Sequence, residues 1–259
     1  MNSRVGTYLI NLASAKDRLV YMDAQLRAIG IDYVRIEGID GKLLSLPVPG
    51  FDPVGYRLKH GRKFHPGEVG CYLSHMKAIR TFLNSDHTHA LILEDDTKLP
   101  NDLVSVIDRA LARAGDWDLL RLSTVNTGWR VPYRRLDADH HLAIALTRDK
   151  GAGAYVINRR CAERFLEALY PMRLAWDIAF DLEFFQGLKA VFVVPPPVDQ
   201  NTGRKTQIQH FTDSSKYPAV RYVTVFPYRA WLETNRFVRR SLRLAALKWR
   251  ERQAGSAKS

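Results

Sequence analysis

Cysteine is nearly absent. Among 259 residues only Cys71 and Cys161 carry thiols, too few for a disulfide framework. Their settings, Gly70-Cys71-Tyr72 and Arg160-Cys161-Ala162, show no metal-ligand spacing. Both thiols are expected to be buried as small apolar groups in a reducing cytoplasm. No run of about 18 apolar residues occurs, so no membrane-spanning helix is expected. The opening MNSRVGTYLINL has too short an apolar stretch for a secretion signal and no small-residue cleavage site. There is no internal repeat and no low-complexity block. A Gly-x-x-x-x-Gly-Lys-Ser/Thr loop is missing, since HGRKFHPGEVG and DKGAGAY both depart from it, which excludes a P-loop NTPase. The N-terminal YLINLASAKDR lacks a Gly-rich basic phosphate loop, which argues against a sugar-phosphate nucleotidyltransferase.

Hydrophobic residues make up 46% and charged residues 25%, a balance that supports a folded α/β core rather than disorder. Strand and helix patterns alternate. Strands are expected at 5–12, 31–36, 89–93, 117–123, 141–147, 151–157 and 190–194. Helices are expected from a cap at Ser14 to Gly30, over 67–84, over 101–114, and from Asn158 to Leu169. Residues 38–66, rich in Gly, Pro and Lys, are expected as a long excursion. Such alternation implies a mostly parallel sheet with helices on both faces, and ligands at the carboxyl ends of its strands.

At one of those ends stands LILEDDTKLP, residues 91–100, where an apolar strand runs into Glu94, Asp95 and Asp96. Adjacent carboxylates repel one another, and a hard divalent cation relieves that repulsion. A solvated strand end is the plainer alternative.

The blocks YLINLASAKDR, GEVGCYLSHMKAI, ALILEDD, GAGAYVINRRCAERFL and PPPVDQ fall in order from residue 8 to about residue 200. Together they resemble glycosyltransferase family 25. The resemblance implies a GT-A type fold and an inverting transfer of a hexose, often galactose, from a UDP-sugar. It implies that Glu94, Asp95 and Asp96 bind Mn2+ or Mg2+ and the donor. Asp96 is then the leading metal ligand, Asp95 reaches metal or ribose, and Glu94 orients the strand end. Asn11 and Arg18 match the N-terminal block, and Gln200 matches the closing one. Gly151 and Gly153 either pack against neighbouring backbone or let the donor sugar approach. His210, in QIQHF, is a candidate third metal ligand by analogy with other GT-A folds.

His75 sits at the edge of the apolar face of its helix, either as a core-edge residue or facing the donor. Glu68, near the start of that helix, suits its dipole. An inverting transfer needs a base for the acceptor hydroxyl. WDIAFDLEF offers Asp177 and, as runner-up, Asp181, which share one face if the segment is α-helical. Lys59, Arg62 and Lys63 either meet an anionic acceptor or form a solvated basic loop.

Charge is uneven. Tyr228 to Ser259 holds nine Lys/Arg and two Glu, a net +7 of the chain's +12. This sets a domain of residues 1–227 against a basic helical extension, 228–259. Drawn as a helix, 229–252 aligns Trp231, Val238, Leu242, Ala245 and Trp249, with Arg236, Arg239, Arg240, Arg243 and Arg250 in a neighbouring arc. Trp-bearing basic amphipathic helices lie on anionic membrane surfaces, so peripheral contact with inner-membrane lipid is expected there and nucleic acid is not. The expected partners are a nucleotide sugar and a glycan or glycolipid acceptor, in the cytoplasm.

Overall fold

The computed structural model describes residues 4–200, 217 and 221–256. The first strand, β1 (Val5–Asn11), pairs in parallel with β2 (Val34–Glu37) on one side and β3 (His89–Glu94) on the other. Alternate side chains of β1 serve two cores, with Tyr8 in one cluster and Leu9 in the other. Helices therefore cover both faces. One layer holds α2 (Pro53–His60), α3 (Pro66–Leu83) and α5 (Arg159–Ala168), and the other α1 (Lys16–Ala28) and α4 (Leu103–Leu111).

The remaining strands are β4 (Leu119–Arg121), β5 (Arg130–Arg135), β6 (His141–Ala145), β7 (Ala154–Asn158) and β8 (Ala190–Val194). Eight strands form one sheet in the order β2-β1-β3-β7-β4-β8-β6-β5. Three pairings are parallel and four antiparallel, so the sheet is mixed and not mostly parallel as expected. The reason lies in β7, which runs antiparallel between β3 and β4, and in β6, which returns antiparallel to β8.

Local chemistry fixes the helices. Asn158 caps α5, its side-chain oxygen accepting from the Cys161 N–H at 2.8 Å, as expected. His65 caps α3, accepting from the Glu68 N–H at 3.1 Å, with Pro66 at the first helical position. The expected cap at Ser14 is not formed. Ala15 takes the capping position of α1 with no side-chain bond. The excursion 38–66 contains α2, which Asp52 caps and Gly61, at φ 72°, closes. Strand β5, an edge strand bearing Pro132, lies where none was expected.

A short helix α6 (Trp176–Ala179) passes into a 3-10 segment, Phe180–Gln186. The final helix α7 (Phe226–Ser256) packs along β5, β6 and that segment. It contributes Leu232 to one core cluster and Leu244 and Leu247 to the other.

Candidate active site

The apolar run of β3 ends at the cleft as LILEDD predicts. Burial of Leu91, Ile92 and Leu93 drives the strand between β1 and β7, and that placement delivers Glu94, Asp95 and Asp96 to its carboxyl end. A cavity of about 520 Å³ opens there. Asn11, Arg18, His75 and Gln200 line it with the three acids. So do Asp40 and Lys42, which no motif in the sequence singles out, and Ser74, which belongs to the GEVGCYLSHMKAI block.

The acids differ in what surrounds them. Asp95 is buried, and Asn11 donates to its Oδ2 at 2.7 Å while Arg18 donates to Oδ1 at 3.0 Å. Arg18 also stands 3.7 Å from Asp96. Burial, then the neighbouring charges of Glu94 and Asp95, push the Asp96 carboxyl up to about 7 against the pull of Arg18. Glu94 meets His75 Nε2 at 3.1 Å and Gln200 Nε2 at 3.4 Å. His75 Nδ1 lies 3.0 Å from the Tyr155 hydroxyl, and its ring stacks on Trp176 with centroids 4.9 Å apart. The tautomer with a proton on Nε2 satisfies both bonds. His75 is thus a buried residue that also orients the strand-end acid.

A second cavity of about 220 Å³ adjoins the first, and Cys71, Glu94 and Gln200 line both. Asp177 and Glu68 line this smaller chamber. Burial pushes the Asp177 carboxyl above its ordinary range, although the Gly151 N–H donates to it and Arg121 attracts it. Glu68 is held by Arg62 at 2.6 Å and by the Tyr56 hydroxyl. Burial raises its pKa, but His60, Tyr56 and Arg62 outweigh burial and bring it down to about 2.

Asp181 goes elsewhere. It is wholly buried, 3.1 Å from Arg121, 3.1 Å from Arg236 and 3.0 Å from Arg240, and it lines neither chamber. The expectation that it shares a face with Asp177 rests on α-helical winding. The chain tightens to 3-10 at Phe180, and residues four apart then diverge. Gly151, at φ 90°, and Gly153 face the Gln200 side chain, which fills the space a Cβ would need. Their room therefore goes to Gln200, whose Oε1 also accepts from Ser123 at 3.0 Å. Cys71, expected as inert filler, is half-buried at the junction, its Sγ 3.9 Å from Glu94. Its place one turn before His75 on α3 is the signal that points to it. Of the basic loop, Arg62 is committed to Glu68, Lys59 lies over the Tyr228 ring and Lys63 over the Tyr217 ring. His210 lies outside the described residues.

Clustered acids at a strand end, beside paired chambers in a mixed α/β sheet, make a concave polar site of the size that small ligands occupy. The family model for glycosyltransferase family 25 (LPS biosynthesis protein) matches residues 5–180, and the chain belongs to that family. Procollagen galactosyltransferase 1 of Danio rerio is 27% identical over 175 residues, covering 62% of this chain and 28% of that protein. A glycosyltransferase 25 family member of Anopheles gambiae is 30% identical over 126 residues, covering 44% of this chain and 20% of that protein. Procollagen galactosyltransferase 2 of Homo sapiens is 28% identical over 127 residues, covering 44% and 20%. The matched region thus spans under a third of these curated relatives. Among solved structures, A197 from STIV aligns with 82% of this chain and 99% of its own at a TM-score of 0.42 and 13% identity.

Proposed function

We propose that the chain is a metal-dependent, inverting glycosyltransferase of GT-A type. It moves a hexose, galactose, from a UDP-sugar to a glycan or glycolipid acceptor of the bacterial envelope, such as lipopolysaccharide core, in the cytoplasm. The observation that carries this is the junction of the two chambers. The three acids line the larger, Asp177 lines the smaller, and Glu94 and Gln200 are common to both. A donor in one chamber and an acceptor in the other would meet there. The larger chamber falls in the roughly 300–1,000 Å³ range of small-molecule sites. The galactosyltransferase relatives and the description of the family model support the sugar and the acceptor class.

The donor set suits a hard cation. Its atoms are carboxylate oxygens, and the Asp96 carboxyl, pushed up to about 7, lacks enough local positive charge to stay fully ionised at neutral pH. Mn2+ or Mg2+ would be held by Asp96 with Glu94 beside it. Asp95 already accepts from Asn11 and Arg18 and ties these strand and helix ends together. When bound, the cation supplies charge neutralisation for the leaving diphosphate. Arg18 stands ready to pair with the same diphosphate. Asp177 takes the proton from the acceptor hydroxyl as its oxygen bonds to the anomeric carbon, while the bond from that carbon to the diphosphate breaks on the opposite side. Its raised pKa makes it a stronger base than an ordinary carboxylate.

Titration calorimetry with UDP, with and without Mn2+, tests the assignment. Binding is expected to tighten at least tenfold with the metal, and Asp96→Ala to abolish that gain with its melting temperature kept. Equal UDP affinity in both conditions, or full transfer by Asp96→Ala, overturns it.

A further inference from the structure

Helix α7 departs from an ordinary surface helix, which faces water with charges and keeps its apolar residues for the core. Its inward side carries arginines beside Leu232, Leu244 and Leu247. Arg236 and Arg240 are buried, and Arg240 reaches Asp181 at 3.0 Å and Glu183 at 2.6 Å. Arg243 donates to the carbonyls of Ala190 and Asp116. The outward side is apolar. Trp231, Val238, Leu242 and Trp249 are 52%, 49%, 69% and 63% exposed. Their spacings of 7, 4 and 7 return each residue to the same azimuth, and the stripe runs for roughly 27 Å. Phe237, 44% exposed, lies off this stripe and leans on the exposed Trp129, with ring centroids 6.3 Å apart. An apolar strip of this length on a soluble surface marks an interface.

The rim says which kind. Arg239, Lys248 and Arg250 are exposed along it. Both acids of residues 226–256 are engaged by arginines: Glu233 by Arg236, Glu251 by Arg113 at 3.1 Å and by Arg134. What faces outward is therefore apolar with a cationic border. A second copy of the helix would bring the same cations against each other. No helix among the described residues is long and apolar enough to cross a bilayer.

We propose that this stripe docks on the surface of an anionic bilayer. The helix lies in the headgroup plane, with Trp231 and Trp249 at the boundary between polar and apolar layers and Arg239, Lys248 and Arg250 against lipid phosphates. A helical wheel counts Arg236, Arg240 and Arg243 among the lipid-facing charges. The fold commits them to the core instead, so the attraction rests on the exposed cations of the rim, Arg252 among them. The docking is independent of glycosyl transfer, and UDP binding reports on that separately.

The test is co-sedimentation of the full chain with phosphatidylglycerol-containing vesicles and with neutral phosphatidylcholine vesicles, at low and at molar salt. Binding to the anionic vesicles is expected at low salt, at least tenfold weaker to neutral ones and at molar salt. The Leu242→Glu/Trp249→Glu variant is expected to lose at least tenfold with unchanged melting temperature and unchanged UDP affinity, since both side chains point away from the core. Absence of binding by the wild-type chain overturns the proposal, as does equal binding by the variant or by neutral vesicles. A wild-type dimer in analytical ultracentrifugation that the variant abolishes, without vesicle binding, assigns the stripe to a second copy and overturns it too.

Discussion

Asp96 and Asp181 are both largely buried carboxylates, yet their surroundings move them in opposite directions. Asp96 is pushed up to about 7, because burial and two neighbouring acids outweigh Arg18. Asp181 is more deeply buried, but Arg240, Arg236 and Arg121 overcome burial and hold it below the ordinary carboxylate range. Where the chain supplies cations to its own acids, the result is a fastening between α7 and the body of the fold. Where acids outnumber nearby cations at a cavity wall, their mutual repulsion raises a carboxyl instead. Residue type is the same in both regions, and local charge balance sets the role.

Two acids four residues apart put this contrast to its most severe test. Asp177→Asn is expected to lower turnover about 10²–10⁴-fold while UDP binding and melting temperature hold, as removal of a general base does. Asp96→Ala follows, with a loss of about 10²–10³ in transfer and no loss of stability, because one of three mutually repelling acids is gone. Asp181→Asn should show the reverse. It leaves Arg236 and Arg240 short of a buried counter-charge, a cost of about 3–5 kcal/mol, read as a fall in melting temperature of about 10 °C. Its UDP affinity should not change. If the two variants at 177 and 181 exchange these phenotypes, the assignment of base and fastening is reversed.

A milder change is expected at Glu68. Its folded pKa of about 2 is below the unfolded value near 4.5. The stabilisation is therefore complete above pH 4.5 and is lost as pH falls from there through about 2. It amounts to about 3 kcal/mol. In urea titrations across that window, Glu68→Gln should flatten the acid limb of the stability profile.

Much of the site is legible in the sequence alone. LILEDD announces β3 and its terminal acids because a strand buried on both faces is a continuous apolar run. Asn158 announces α5 because its capping side chain is a local feature. Strand direction is not legible, since nothing in the sequence of β7 states that it will insert antiparallel between β3 and β4. Strand β5, RVPYRR, escapes a search for patterns because an edge strand needs no apolar alternation and tolerates proline. Asp181 is misplaced because its partners lie far along the chain, and a wheel drawn with one winding angle cannot register a change to 3-10. The arginines of α7 mislead for a related reason. Amphipathicity shows that a helix has two sides, but not which one faces in.

That fastening also has a consequence in time. Asp181 and Glu183 are bound by Arg240, whose sequence separations from them are 59 and 57 residues. A ribosome works from one end, so Asp181 finds Arg121 already made, whereas Glu183 emerges long before Arg240, its ion-pair partner. Until residue 240 has been made, Glu183 holds charge that is costly to pack away from water. The body of the fold therefore reaches its settled form only after synthesis has passed most of the chain, and α7 acts as the last piece to lock.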